Sequence, residues 1–153
     1  MKTASKEDET MNIRLLVIED YDAAYSLWKA STGINLRVLD DSETGIRKFL
    51  ERNPYTCFAA EENSELVGTI LGGNDGRRGY IYHIAVNAGF RSKGIGRSLL
   101  EAAEQAFIRE GINKIALISI KANVGGNRFL RACGYPIRED VVYRNKNLNA
   151  ENT

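Results

Sequence analysis

The sequence predicts a single α+β domain built around one mixed sheet. Three observations lead there. Short runs rich in β-branched and aromatic residues are interspersed with segments whose apolar residues recur every three or four positions. Glycine, asparagine, aspartate and proline gather at the joints between these segments. Finally, 153 residues with 43% apolar and 27% charged side chains suffice for one core of ordinary size, with no disulfide or metal needed to hold it.

Residues 1–11 contain no apolar stretch and read as a flexible leader, with Met11 as an alternative start and the domain proper over 12–147. Residues 12–17 (N-I-R-L-L-V) suit a first strand. Asp20 is a good N-cap for a helix over Tyr21–Ala30, where Ala24, Leu27 and Trp28 share a face and Gly33 lies beyond the end. Tyr25 sits at the same helical spacing, which favours packing over ligand binding. Asp41 or Ser42 can cap a second helix carrying Ile46, Phe49 and Leu50, which Pro54 ends. Thr56–Ala60 and Leu66–Gly72, joined by E-E-N-S-E, read as a hairpin. Turn chemistry over Asn74–Gly79 leads into Tyr80–Val86 (Y-I-Y-H-I-A-V), expected as the central strand. A helix follows from about Gly94 to Glu110, with Ile95, Leu99, Leu100, Ala103 and Phe107 on its apolar face and Gly111 as its stop. Lys114–Ile120 is the next strand. Asn123 caps a short helix holding Val124, Phe129 and Leu130, which ends at Cys133–Gly134. Tyr135–Arg138 and Val141–Arg144 are expected as a last strand pair, and 148–153 as a polar tail that frays.

Simple counts close off several functions. With 21 basic and 20 acidic side chains the net charge is +1, which speaks against a nucleic-acid partner. No apolar run approaches the roughly 18 residues of a membrane span, and no secretory signal is apparent, so no membrane partner is expected. Cys57 and Cys133 lie far apart and form no C-x-x-C pair, which suits a reduced, cytoplasmic setting. One histidine and two cysteines argue against a metal site, and Cys133 reads as structural rather than nucleophilic.

The most informative stretch is R-S-K-G-I-G-R-S-L-L, Arg91 to Leu100. Two glycines at the mouth of a helix let backbone N–H groups converge where the helix dipole also favours an anion. Arg91, Lys93 and Arg97 add positive charge, so a phosphate or pyrophosphate is the natural guest. The alternative is a tight helix entry with solvated basic residues. The Walker A pattern fails because no G-K-[ST] follows. A dinucleotide-binding fingerprint fits poorly, since Asn87–Lys93 separates the glycines from the strand and Leu99 occupies the third glycine position.

Y-I-Y-H-I-A-V followed by R-S-K-G-I-G-R-S-L-L resembles the acetyl-coenzyme A site of the GNAT superfamily of N-acetyltransferases, whose loop is usually [QR]-x-x-G-x-[GA] after a strand ending in apolar-x-V. Asn123–Tyr135, N-V-G-G-N-R-F-L-R-A-C-G-Y, resembles their second motif, an Asn opening a helix that ends in G-[FY]. The two motifs span about residues 80–135, and the hairpin and N-terminal helices extend the likeness over nearly the whole chain. D-G-R-R-G-Y-I-Y-H-I-A-V with N-x-x-G-N-x-F is similar to a bacterial subgroup of small members without assigned substrates.

The resemblance implies the GNAT (acyl-CoA N-acyltransferase) fold: a mixed, strongly twisted sheet of six or seven strands with about four helices. It implies that Tyr80–Val86 splays from the strand around Lys114–Ile120 and that the freed backbone of Ile84, Ala85 and Val86 binds the pantetheine arm. Ile84 N–H would meet the acetyl carbonyl as oxyanion donor. Arg91, Ser92, Lys93, Gly94, Ile95, Gly96, Arg97 and Ser98 would cradle the pyrophosphate. Asn123 and Asn127 would approach from the other side, with Phe129 near the thiol end. The implied reaction transfers the acetyl group of acetyl-coenzyme A to a primary amine of a small molecule or peptide, by direct attack in a ternary complex and without a metal. The sequence departs from the family at two points. Leu130 stands seven residues after Asn123, where many members place a tyrosine acid, and the central strand lacks the carboxylate base that some members carry near the position of Tyr80. These departures leave acid and base unassigned. Two alternatives stay open: a ribosomal-protein N-terminal acetyltransferase and a catalytically silent, coenzyme A-binding regulatory module.

His83, the only histidine, is either a base that deprotonates the amine or a packed strand residue; alternation puts it opposite Ile84. Tyr82, on the face of Ile84 and Tyr80, either lines the acceptor site with Tyr80 or packs. Asp75, Arg77 and Arg78 either hold the amine and an anionic group of the acceptor or form a solvated turn. The acceptor cleft is expected between the first two helices, the Asn74–Gly79 loop and the C-terminal strands. The expected partners are the amine acceptor and, in a homodimer, a second copy of the chain.

Overall fold

The structure is a computed structural model that describes residues 11–153. Apart from Met11, the expected leader lies outside the described residues. β1 (Met11–Leu15) runs antiparallel to β2 (Phe58–Glu62), which turns back into β3 (Glu65–Ile70). The β2–β3 turn uses Asn63 and Ser64, both at positive φ (51° and 63°), the backbone a tight two-residue hairpin requires. β4 (Gly72–Asn74), β5 (Gly79–Ile81), β6 (Ala85–Val86) and β7 (Ile115–Leu117) complete the strands. They form two sheets, ordered β1-β2-β3-β6 and β4-β5-β7, in place of the single sheet expected. All pairings are antiparallel except β5 with β7. The helices are α1 (Tyr21–Ala30), α2 (Glu43–Arg52), α3 (Ile95–Arg109) and α4 (Val124–Ala132).

Period-two alternation divides the core into two layers. On one face, Phe58, Ala60, Val67, Ile70 and Ile81 pack with Leu99, Leu100, Ala103 and Phe107 of α3. On the other, Cys57, Ala59, Leu71 and Ala85 pack with Ala24, Leu27 and Trp28 of α1 and Ile46 of α2. Trp28, only 1% exposed, is core, and its indole N–H donates to Thr69 Oγ1 at 2.9 Å. Two helix starts differ in detail from expectation. Ser42, not Asp41, caps α2, accepting from Gly45 N at 3.0 Å. Asp20 makes no side-chain cap to α1; its carboxylate takes the Arg14 guanidinium and Val17 N instead.

The expected central strand Tyr80–Val86 is broken. Gly72 pairs with Ile81, whereas Thr69 pairs with Ala85, so Ile70 and Leu71 face three residues, Tyr82, His83 and Ile84. That extra residue is a β-bulge, and it reverses the facing of everything after it. Ile81 and Ala85 would share a face in a regular strand, yet Ile81 lies under α3 and Ala85 under α1. The strand expected over Lys114–Ile120 is likewise shortened to Ile115–Leu117.

The last two expected strands do not form: 135–144 carries no strand, and Ile137, Val141, Val142 and Tyr143 are exposed. Pro136 lacks an N–H, and V-V-Y offers apolar residues in succession rather than alternation, so the segment presents no single face to bury. The tail, expected to fray, is docked. Asn152 Oδ1 accepts from Leu39 N and Asp40 N at 3.1 Å each, its Nδ2 donates to Asp40 at 2.8 Å, and Val38 N donates to Thr153 O at 2.9 Å.

Candidate active site

The parallel ladder of β5 and β7 stops at Ile81 and Leu117. Beyond it the bulge carries one chain away while Ile118–Ile120 leaves on the other side. Between them opens a cleft of about 310 Å³, with Tyr82, His83, Ile84, Ser119, Asn123 and Phe129 among its walls. The Ile84 N–H has no hydrogen-bond partner among the described residues. A bulge beside a splay leaves such groups unpaired, and an extended, amide-rich chain laid in the gap can take them up as an added strand would.

The glycine loop does not line this cleft; it lies next to it, behind Phe129, which lines the cleft and stands near Gly96. Gly94 sits at φ +81° immediately before α3, a left-handed conformation that a side chain would strain, although a Cβ there would meet only open space. Gly96 is different: a Cβ would come within 3.2 Å of Phe129 Cζ. The first helical turn bond runs from Ser98 N to Gly94 O at 3.0 Å, leaving the N–H groups of Ile95, Gly96 and Arg97 without intrahelical acceptors. Arg91, Ser92, Lys93 and Arg97 are exposed and Ser98 half-buried. Arg91 Nε reaches only Val86 O at 3.4 Å, and Lys93 Nζ lies over the Phe90 ring. None of the three cations is ion-paired among the described residues. Free N–H groups, a helix dipole and unpaired cations in one place suit a phosphate-bearing guest.

The opposite wall comes from the start of α4. Asn123 Oδ1 accepts from Gly126 N at 3.1 Å, so the expected cap forms, and Asn123 also faces the cleft. Asn127 does not line it. Its amide donates to Ile120 O and Asn123 O at 2.9 Å each and its oxygen accepts from Ser119 Oγ at 2.5 Å, which holds the diverging segment in shape. Phe129 and Leu130 complete this wall.

The far side was only partly legible beforehand. Because of the bulge, Tyr82 shares the α1/α2 side with the following residue, His83, and not with Ile84 as alternation suggested. Tyr82 meets Phe49 of α2 edge-on at 5.6 Å, and His83 lies against Trp28 of α1 at 5.0 Å. Tyr80 stacks obliquely on Tyr82 at 4.6 Å, and burial pushes its hydroxyl up to about 12. His83 Nε2 pairs with Asp41 Oδ1 at 2.5 Å. Asp41 is 6% exposed; its second oxygen accepts from Arg37 N at 2.6 Å, and its backbone carbonyl accepts from Tyr21 Oη at 2.8 Å. Sequence reading treated Asp41 only as a candidate cap, because nothing local marks a bond that spans 42 positions.

Asp75, Arg77 and Arg78 lie elsewhere. Asp75 Oδ1 accepts from Arg77 N and Arg78 N at 2.8 Å each, and the N–H groups of Arg78 and Arg77 hold its carboxyl below the ordinary range. All three are exposed, and none lines the cleft, whereas Tyr80 does. Burial pushes the Cys57 thiol up to about 12, and Cys133 packs against the α3 core.

Known proteins agree with this architecture. Residues 17–135 match the model of the Acetyltransferase (GNAT) family. An acetyltransferase of Pectobacterium atrosepticum is 36% identical over 108 residues, 71% of this chain and 75% of the relative. Among solved structures, Ard1 from Thermoplasma volcanium superposes with a TM-score of 0.73 at 20% identity, covering 81% of each chain. An aminoglycoside N-acetyltransferase in complex with coenzyme A superposes with a TM-score of 0.71 at 17% identity, covering 93% of this chain and 98% of the other. Family match, relative and fold converge, and the chain belongs to the acetyltransferase (GNAT) family.

Proposed function

We propose that the protein transfers the acetyl group of acetyl-coenzyme A to a primary amine by direct attack in a ternary complex. The observation that carries this reading is the splay itself: an unpaired Ile84 N–H in a cleft whose Phe129 wall backs onto the glycine loop. The pyrophosphate rests on the N–H groups of Ile95, Gly96 and Arg97, with Arg91, Lys93 and Arg97 around it, Ser92 and Ser98 flanking the turn. The pantetheine arm follows the edge of Ala85 and Val86, with Asn123 and Phe129 opposite. Ile84 N–H then faces the thioester carbonyl, where it stabilises the oxyanion of the tetrahedral intermediate.

The acceptor enters from the α1/α2 side, past Tyr80, Tyr82 and Tyr143. Aromatic faces with no lysine or arginine among them suit a cationic amine. Structural neighbours include a diaminobutyrate acetyltransferase in complex with its substrate, and small amines of that class are included as candidates. Leu130 supports the rival reading, a silent coenzyme-binding module, because it puts an aliphatic side chain on the cleft where many family members offer a hydroxyl.

Two measurements test the proposal. Calorimetry should show binding of acetyl-coenzyme A and none of a nicotinamide dinucleotide. Free-thiol release from acetyl-coenzyme A should then be followed over small amines, diamino acids, polyamines, aminoglycosides and peptide N-termini, including ribosomal-protein N-termini. Release with one class identifies the acceptor. Coenzyme binding with no release anywhere selects the silent module.

A further inference from the structure

We propose that His83 and Asp41 form a base dyad, in which Asp41 holds the imidazole in the tautomer that takes a proton from the acceptor amine. This deepens the acetyl-transfer reading and rests on it. Among the described residues, no aspartate, glutamate, lysine, arginine or cysteine lines the cleft; its titratable groups are His83 and the tyrosines Tyr80, Tyr82 and Tyr143. Of these side-chain types, only imidazole ordinarily changes charge near neutral pH. The position where a carboxylate base was sought, at Tyr80, is therefore replaced by a different group three residues on.

The geometry assigns the proton. An ionised carboxylate only accepts hydrogen bonds, so the proton shared between Asp41 Oδ1 and His83 Nε2 is carried by the nitrogen. That leaves the lone pair on Nδ1. Nδ1 has no protein partner among the described residues, and His83 lines the cleft. The rest of the surroundings fix the ring. Trp28 packs against it from α1, and Arg37 N–H occupies the other oxygen of Asp41. The charged and titratable residues around the pair are Arg37 and Asp40 from the loop before α2, Tyr21 from α1, Tyr82 from the same segment as His83, and Tyr143 from the C-terminal residues. Among the described residues, no lysine or arginine lines the cleft itself, and Arg37, which holds Asp41 through its backbone N–H, is exposed and outside it.

The proton balance is simple. The acceptor arrives as an ammonium and gives one proton to His83 Nδ1, directly or through one water. The freed nitrogen lone pair forms the C–N bond, and the carbonyl π electrons move to oxygen, facing Ile84 N–H. Collapse of the tetrahedral intermediate re-forms the carbonyl and breaks the C–S bond. The nitrogen's second proton passes to the leaving thiolate, giving amide and free thiol. His83 then releases its proton to solvent. His83 is the catalytic residue; Asp41 is a positioning residue.

Because the chain has a single histidine, ring-labelled protein yields one imidazole signal, and long-range proton–nitrogen NMR reads its tautomer without any acceptor. The wild-type ring should carry its proton on Nε2 above its titration. In Asp41→Asn the amide oxygen must still serve Arg37 N–H, so the NH2 group turns to His83 Nε2 and drives the ring proton onto Nδ1. In thiol release with the amine found by the panel, His83→Gln and Asp41→Asn should each lower kcat by about 100-fold or more. The acidic limb of the kcat/KM profile should vanish in His83→Gln, while coenzyme affinity by calorimetry stays unchanged in both. A wild-type ring protonated on Nδ1, an unchanged tautomer in Asp41→Asn, or wild-type kcat in His83→Gln would each overturn the dyad and leave acetyl transfer standing. Absence of release with every amine would overturn acetyl transfer and the dyad with it.

Discussion

The glycine loop and the α1/α2 side of the cleft are built on opposite principles. The glycine loop is assembled from consecutive residues, Arg91 to Ser98, and its donors are backbone N–H groups whose direction follows from one left-handed glycine and the start of α3. The α1/α2 side is assembled from side chains: His83 from the bulge, Asp41 from the loop before α2, Trp28 from α1 and Tyr143 from the C-terminal arm. A backbone site tolerates changes in neighbouring side chains and fails when a Cβ or a charge is placed in it. A side-chain site fails when any one of its distant contributors moves. On the proposed reading, a fixed socket for a common coenzyme stands next to a wall that can change acceptor without disturbing it.

Mutations in the two regions should separate accordingly. The largest effect is expected for Gly96→Asp, which pushes a Cβ toward Phe129 and adds a carboxylate at the proposed phosphate site. Coenzyme affinity should fall by about 100-fold or more, equivalent to roughly 2.7 kcal/mol, by calorimetry. The thermal stabilisation that saturating coenzyme A confers on the wild type should vanish with it. Equal affinity would show that the coenzyme does not use this loop.

Trp28→Ala comes next. Trp28 is buried, donates to Thr69 and backs His83. Its loss should cost about 3–5 kcal/mol in urea unfolding. In conditions where the variant remains folded, kcat should drop while coenzyme affinity holds. An equal loss of coenzyme affinity would mean that the two regions are mechanically coupled.

A smaller effect is expected for Asn152→Ala, which removes the clamp on Leu39 and Asp40. Stability should fall by about 0.5–1.5 kcal/mol, with a rise in acceptor KM and none in coenzyme Kd. An unchanged acceptor KM would reduce the tail to a surface ornament of the loop. Arg77→Ala and Arg78→Ala should do least, within about 0.5 kcal/mol of wild-type stability and with kcat/KM retained, because both residues are exposed and outside the cleft. A marked loss of kcat/KM in either would extend the acceptor site to that turn.

How much could be read in advance follows the same division. α1, α2, α3 and α4 were legible because an apolar stripe and its stops are local: Ile95, Leu99, Leu100, Ala103 and Phe107 point one way, and Gly111 ends the run. The glycine loop was legible for the same reason. The bulge was not. Y-I-Y-H-I-A-V is a good strand by composition, and only its partner, which offers two residues where this chain has three, makes it break. Counting alternate residues across that break reversed the facing of Tyr82 relative to Ile84. The C-terminal strands failed differently, for strand propensity in V-V-Y is worth little without a neighbouring edge to pair with.

What the sequence by itself determined is therefore what a few consecutive residues carry: the helices, the hairpin, and the glycines at the mouth of α3 with the basic residues around them. What only the tertiary structure decided is which side chains share the space on the α1/α2 side of the cleft. Asp41 meets His83 because β3 holds its partner strand one residue out of step and α1 presses Trp28 behind the ring. A hydrogen bond depends on distances of a few tenths of an ångström between groups forty positions apart, and only the packed core sets such distances.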